Sequence, residues 1–552
     1  MKQDASGWIV RLDDAQIACN TRSGAWRNET ISELAYALAL REPERTTHVF
    51  EERSYCIGEL VRDAESLAAA LAERGLRAGD VISFQLPNWV EAVVIDLAAA
   101  MLGLVIAPII SIYRDGEVAF MLANCGAKAV FVPGDYRGFD YVAMMQRVRA
   151  QLPQLQLLAS IRHDASDQDS YEALIAECRT LAPQPRVDPN AVKLVLYTSG
   201  TTGKPKGVMH SHNTLSFCVQ SAMQHWRQGE GDSMLMASPV THVTGFGLGL
   251  ELPMLCGTRV VFMERWNATE GVKLIDAEKI SVSMGATPFL HELLTEAERQ
   301  NNHLPTLRLY GCGGAAVPTD LVNHAVAWFD DCRIFRMFGS SEVPLVALGF
   351  VGDGQAKLAA ETDGEVVHYD VKIVDDEGKP LPNNTEGEIC ARGPAMMLGY
   401  IDAAQSAESI DADGYFHMGD LGIFTDDHAI VVTGRKKDLI NRGGEKISAR
   451  EIEDVLLAHK AVSNVAVVAM PHPRLGEGVC AYVVVKGECT FTFENMTACM
   501  KKAGLARQKY PEKLLTVDHF PMTASGKIRK DVLRADIRDR LQSEKQYATG
   551  IA

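Results

Sequence analysis

Apolar residues at helical spacing mark the first clear element. Leu60, Ala64, Leu67 and Leu71 fall on one face of the stretch 60–75, and Gly75 follows as a C-terminal cap. Short apolar runs then alternate with helical stretches, among them "VISFQL" (81–86) and "AVFV" (129–132). That alternation predicts α/β layers with mostly parallel strands. The most apolar segment, 92–110, is interrupted by Asp96, Gly103 and Pro108. It reads as a buried helix running into a strand, not as a membrane span. Residues 163–190 are polar with scattered prolines and predict a surface connection.

After about residue 435 the pattern changes. "SAREIEDVLLAHK" predicts an amphipathic helix, with Ser448 and Glu451 spaced as a capping box. The strands "NVAVVAM", "CAYVVVK" and "LLTVDHF" and a basic terminal helix follow. The expected fold is α/β, with a large N-terminal domain of layered α/β subdomains over 1–434 and a small α+β C-terminal domain over 435–552. The boundary falls at "GRKKD" (434–438). A chain of 552 residues exceeds what one hydrophobic core usually serves, which agrees with this division.

Charge narrows the function. With 55 basic and 71 acidic residues the net charge is −16, which argues against a nucleic-acid partner. Polyanionic small molecules stay open, because a local site can be basic on an acidic protein. The twelve cysteines are scattered, without a Cys-x-x-Cys pair, which suits free thiols in a reducing compartment. The first residues, "MKQDASGWIVRLDD", lack the apolar run of a signal peptide, so a cytoplasmic location is expected.

Candidate chemistry begins at "LYTSGTTGKPKGVMHSH" (196–212). The preceding run "AVKLVLY" reads as a buried strand. Beyond it, Leu215, Cys218, Val219, Ala222, Met223 and Trp226 recur at helical spacing, with Asn213 the candidate N-cap. The loop is therefore expected to join a strand to a helix, where amides, hydroxyls and a helix N-terminus meet an anion. Gly200, Gly203 and Gly207 allow close approach of the backbone, Thr198, Ser199, Thr201 and Thr202 add donors, and Lys204 and Lys206 add charge. A flexible linker would have similar composition, but it would not sit between a buried strand and an amphipathic helix. His210 and His212 have a spacing found in metal sites but no partner cluster, and are expected at the surface or at the helix entry.

"YTSGTTGKPKG" closely resembles the signature loop of the adenylate-forming superfamily, which includes acyl-CoA synthetases, luciferases and nonribosomal-peptide adenylation domains. "FGSSE" (338–342), "GEICARGPAMMLGY" (387–400), "HMGDLG" (417–422), "GRKKDLINRGGEKISAREIE" (434–453) and "PMTASGKIRK" (521–530) match in the same order. The resemblance covers most of the chain after residue 190; before it, only the general texture agrees.

The resemblance implies two half-reactions. A carboxylate attacks the α-phosphorus of ATP to give acyl-AMP and pyrophosphate, and a thiol then displaces AMP. It gives Lys527 the catalytic role of bridging carboxylate and α-phosphate, and Glu342 the role of holding Mg²⁺ on the nucleotide. The ATP contacts it implies are Thr198, Ser199, Gly200, Thr201, Thr202, Gly203 and Lys206 in the loop, and Gly314 and Ala315 beside the adenine. Phe338, Gly339, Ser340 and Ser341 join them, with Asp420 and Arg435 at the ribose. His242 in "PVTHVTGFG" aligns with a residue near the acyl carboxylate. The C-terminal domain is expected to be mobile about a hinge at Lys437, with Gly443 and Gly444 lining a coenzyme A tunnel. Three positions depart from the common pattern: Phe338 stands for tyrosine, Ser341 for threonine and Met418 for threonine. The first loses a phenolic hydroxyl and the second keeps its hydroxyl.

The stretches 246–256, 284–290 and 343–350, placed beside the acyl group by the same resemblance, contain no lysine or arginine to meet a second carboxylate. An apolar monocarboxylic acid is favoured: medium-chain, alicyclic or aromatic. The motifs look most like bacterial short- to medium-chain and cyclohexanecarboxylate-type acid–CoA ligases. Alternatives are an acyl-AMP ligase that loads a carrier protein, and a nucleotide sensor without chemistry. Self-association as a homodimer is left open.

Overall fold

The computed structural model describes residues 2–163, 170–176, 179–198, 205–523 and 527–549. They form two compact units, one of residues 1–370 and 391–416, the other of 371–390 and 417–552.

The first unit is built on two seven-stranded sheets. One begins with five parallel strands, in the order Leu157–Ile161, Ala129–Pro133, Val81–Phe84, Val105–Pro108 and Val192–Thr198. Lys206–Ser211 and Gly399–Tyr400 then add antiparallel. The other sheet runs Arg333–Met337, Leu309–Gly313, Val282–Ala286, Ser233–Met236, Arg259–Phe262 and Thr46–Phe50 in parallel, and ends on the antiparallel strand Arg53–Cys56. These strands read as continuous apolar runs because helices cover the sheets. The segment 92–110 is, as expected, a buried helix, Glu91–Leu102, closed by left-handed Gly103 and followed by the strand Val105–Pro108. Inside 163–190, Tyr171–Ala176 is a short helix with Tyr171 and Leu174 buried.

The phosphate-loop segment differs from the expected strand–loop–helix. Residues 206–211 are a strand, antiparallel to Val192–Thr198, with Thr198 opposite Lys206 and Tyr197 opposite Gly207. The helix starts only at His212, and its N-cap is Ser211, not Asn213: the Ser211 hydroxyl accepts from the Thr214 N–H. The amphipathic pattern located the helix body, but its start was fixed by sheet pairing. Asn213 instead binds the Asn28 and Asn190 side chains. The helix N-terminus thus does not follow the loop directly, because the strand Lys206–Ser211 stands between them. The loop residues Ser199, Gly200, Thr201, Thr202, Gly203 and Lys204 lie outside the described residues.

His210 and His212 are buried: His212 opens the helix, as one of the two expected placements had it, whereas His210 lies on a strand that is buried throughout from Gly207 to Ser211, between two neighbouring strands. Burial pushes His210 down to about 4, and His48, also buried, to about 4. Both rings stay neutral in the fold while the unfolded chain protonates below about pH 6.5. Unfolding therefore takes up protons in that window, and stability falls as pH falls. Thermal unfolding between pH 6.5 and 4 is expected to show a loss on the order of 3 kcal/mol per histidine. Replacement of His210 by glutamine is expected to remove its share of the slope.

The second unit holds a four-stranded sheet, in the order Asp370–Val374, Gly387–Arg392, Phe416–Phe424, Ile430–Arg435, and a five-stranded sheet around Val462–His472 and Gly476–Val485. Apolar clusters cover both faces of the five-stranded sheet. Helix Ala449–Leu457 is capped by Ser448, whose hydroxyl accepts from the Glu451 N–H. The second half of the expected capping box is replaced: the Glu451 carboxylate pairs with Lys509 at 2.7 Å.

Candidate active site

In the first unit, parallel strands point their carboxyl ends the same way, and the loops leaving them carry the predicted groups. His242 follows Ser233–Met236, Gly314 and Ala315 follow Leu309–Gly313, and the run Phe338–Glu342 follows Arg333–Met337. The carboxyl edge of an open α/β sheet is where such folds bind ligands. Gly314 has φ +80°, a left-handed conformation that glycine adopts without strain, and both it and Ala315 are exposed. Phe338 is half-buried and exchanges two backbone hydrogen bonds with Ala347. The turn after it is tight: a Cβ on Gly339 would sit 2.4 Å from the Leu345 nitrogen, and the Ser340 N–H donates to Val343 O at 3.1 Å.

That turn, at the end of one sheet, places Glu342 against groups of the other. Its Oε1 accepts from the Tyr400 hydroxyl at 2.9 Å and from Thr198 at 3.4 Å, and its carbonyl accepts from the Met397 N–H at 2.8 Å. Lys206, opposite Thr198 in the hairpin, holds its ammonium 5.0 Å from the centre of the Tyr400 ring. Burial, and then the nearby Glu342 charge, push the Tyr400 phenol well above its ordinary range. The structure therefore joins Thr198, Lys206 and Glu342. The sequence reading missed two residues that frame them, Tyr400 and His210. His210 Nε2 lies 2.7 Å from the Ser341 carbonyl oxygen, tying the strand after the loop to the residue before Glu342. No local signal in "KGVMHS" could have found His210, because the stretch is extended only through its sheet partners and is buried throughout from Gly207 to Ser211.

Among the described residues no cluster of three His, Cys, Asp or Glu side chains could hold a metal by itself. One buried carboxylate flanked by hydroxyls fits Mg²⁺ shared with phosphate oxygens, because this ion usually takes one or two protein carboxylates and keeps its other positions for phosphate and water. His242 is half-buried; its N–H donates to Pro239 O at 2.9 Å and it caps the short helix Val243–Gly245.

In the second unit Asp420 and Arg435 face each other across adjacent antiparallel strands, with Arg435 Nε donating to Asp420 Oδ1 at 2.8 Å. Asp420 is 5% exposed. Burial pushes its carboxyl up, while Arg435, Lys527 and Lys437 pull it back down. Lys527 thus belongs to the same electrostatic group as the predicted ribose ligands. The Lys527 N–H donates to the Thr523 hydroxyl at 2.9 Å, and its carbonyl accepts from the Thr523 N–H at 2.7 Å. Lys437 sits in a single 3-10 turn, Lys436–Asp438, directly after the strand Ile430–Arg435, and burial lowers its ammonium. Gly443 and Gly444, at φ +63° and +96°, turn the chain between Ile440–Arg442 and Glu445–Ile447. A side chain at either position would be strained.

The two largely parallel sheets, with the predicted residues on the loops at their carboxyl ends, and the separate α+β unit make the frame of an ATP-dependent adenylate-forming enzyme. The chain belongs to the AMP-binding enzyme family: the family's model matches residues 37–401, and that of the AMP-binding enzyme C-terminal domain matches 451–527. It is 34% identical to a medium-chain fatty-acid–CoA ligase of Escherichia coli K12, over 97% of this chain and 95% of the relative. It is 30% identical to a vibriobactin-specific 2,3-dihydroxybenzoate-AMP ligase of Vibrio cholerae, over 97% of this chain and 98% of the relative. Among solved structures, ATP-bound MatB from Rhodopseudomonas palustris superposes with a TM-score of 0.83 at 25% identity, covering 93% of this chain and 99% of that one. No helix among the described residues is long and apolar enough to cross a membrane.

Proposed function

We propose that the protein is an ATP-dependent carboxylic acid–CoA ligase for an apolar medium-chain, alicyclic or aromatic monocarboxylic acid. The observation that supports this best is the junction of Thr198, Lys206 and Glu342 at the carboxyl ends of the parallel strands. In the first half-reaction a carboxylate oxygen of the acid attacks the α-phosphorus of ATP and pyrophosphate leaves. The acid and the nucleotide are both anions, so positive charge has to be supplied where they meet. Lys527 supplies it, and Lys206 and the loop donors hold the phosphates. Mg²⁺, held by Glu342, would neutralise part of the phosphate charge. Asp420 accepts from the ribose hydroxyls beside Arg435, and Phe338 offers its ring to adenine. Gly314 and Ala315 leave room for the base, and His242 orients the acid carboxylate. In the second half-reaction the coenzyme A sulfur attacks the acyl carbon, the thiol loses its proton and AMP leaves. Lys437 is the hinge dividing 1–434 from 435–552 for this step, and Gly443 and Gly444 line the approach of the pantetheine arm.

The test is a panel of acids with ATP and Mg²⁺, with and without coenzyme A, followed by pyrophosphate release and thioester mass. Thioester formation that depends on coenzyme A and is selective for apolar monoacids is expected. Acyl-AMP without acyl-CoA would overturn the coenzyme A assignment in favour of an acyl-AMP ligase that loads a carrier protein; the 2,3-dihydroxybenzoate relative is named as an AMP ligase. No turnover of any acid would leave a nucleotide sensor.

A further inference from the structure

Residues Phe246–Glu251 form a π-helix between the short α-helices Val243–Gly245 and Leu252–Cys256. The wider π turn is rare and persists mostly at functional sites. Every residue of this turn is buried. A Cβ on Gly249 would press on Met236 and Phe262 at 3.2 Å, and one on Gly247 on Val219 at 3.1 Å. The turn therefore has little freedom to shift without disturbing the core.

Its polar groups are met by charged and ring groups from deep in the first unit. His48 Nε2 lies 3.1 Å from the Gly249 carbonyl oxygen. The Glu251 carboxylate pairs with the Lys193 ammonium, which also lies 3.0 Å from Asp96 Oδ1. The side chains of Lys193, Asp96 and Glu251 are 3%, 1% and 1% exposed. Lys193 lies on the strand Val192–Thr198, which ends at the phosphate loop, and Asp96 on the helix Glu91–Leu102. The ammonium also sits 5.4 Å from the centre of the Phe246 ring, at the opposite end of the π turn. His212 faces the group as a neutral ring, its imidazole held down by burial and by Lys193.

Such a cluster is a poor way to gain stability. Buried ions cost several kcal/mol each to desolvate, and apolar residues of similar volume often stabilise as well or better. Two carboxyls share one lysine, and burial, with Asp96 adding to it, pushes Glu251 up to about 7. What the cluster supplies is a fixed geometry.

We propose that Lys193, Asp96 and Glu251 are positioning residues, an ionic anchor that fixes the π-helical wall of the acyl pocket and thereby sets which acids fit. This rests on the reading of His242 and 246–256 as that wall. None of the three touches substrate; they act through Phe246–Glu251. The anchor also explains why a stretch otherwise suited to an apolar acid contains a glutamate: its side chain is turned away into the core, onto a lysine of the neighbouring sheet.

The deciding variant is Glu251→Leu, which cuts the anchor at the π-helix and leaves Lys193 and Asp96 as a balanced pair. Because small misplacements of a positioned substrate are costly, its KM for the preferred acid is expected to rise about tenfold or more. Preference among acids of different length is expected to flatten, while the KM for ATP changes by less than about twofold, as for an independent site. Glu251→Gln, which keeps a hydrogen-bonding partner for Lys193, is expected to restore the acid KM to within about threefold of the parent. Should Glu251→Leu not fold, Lys193→Gln takes its place, with the acid KM again rising and the ATP KM not. A folded variant with the parent's acid KM and acid preference overturns the anchor, as does a parallel rise of both KM values. Thr244→Phe, on the half-buried turn between His242 and the π-helix, separates the two readings by adding bulk beside the wall without touching the anchor. If it leaves the acid preference intact, the wall assignment fails and the anchor's role with it. If it alters the preference while the anchor variants do not, only the anchor fails.

Discussion

Lys527→Ala is expected to lower acid-dependent pyrophosphate release by about 10²–10³-fold, the usual cost of removing one preorganised group that stabilises developing charge. The variant should fold, because residue 527 is held by its backbone: its N–H and carbonyl both bond Thr523. The loss should be far smaller when pre-formed acyl-AMP is supplied with coenzyme A, since that half-reaction no longer joins two anions. Lys527→Arg should recover only a small part of the rate, because the planar, branched guanidinium does not reproduce a point charge on a flexible stem. Equal loss in both half-reactions would show that Lys527 acts on the fold or on nucleotide binding in general, not on the adenylation step.

Glu342→Gln is expected to reduce adenylation by a similar factor, about 10²-fold, and to raise the Mg²⁺ concentration needed for half-maximal rate. The amide keeps the size of the side chain and can still accept from Tyr400 and Thr198, so the change removes mainly charge. Without the carboxylate the Tyr400 phenol should titrate at lower pH, which ultraviolet difference spectra would detect independently of turnover. An unaltered Mg²⁺ requirement, with a normal rate, would remove Glu342 from the metal role.

Much of the fold was legible because it is written in local periodicity. Continuous apolar runs gave the buried parallel strands, the 3.6-residue pattern of 60–75 gave a helix that extends over Ile57–Glu73, and Ser448 marked the start of its helix. The interruptions at Asp96, Gly103 and Pro108 separated a helix from a strand where hydropathy alone would have merged them. The site groups were legible in the same way, as short stretches whose residue types suit phosphate, ribose and metal.

What local pattern could not determine was pairing. "KPKGVMHS" has no strong strand signal of its own; it is extended because Val192–Thr198 on one side and Gly399–Tyr400 on the other offer hydrogen-bonding edges. That pairing moved the helix start to His212, buried His210 against Ser341 and separated the helix N-terminus from the loop. It was also tertiary structure that brought Tyr400 and Thr198 onto Glu342, and Lys193 and Asp96 onto Glu251, across separations of 58 to 155 residues. A charged residue inside an apolar stretch says only that a partner is needed. Which partner answers depends on the long-range packing of strands and helices, and sequence spacing carries no record of it.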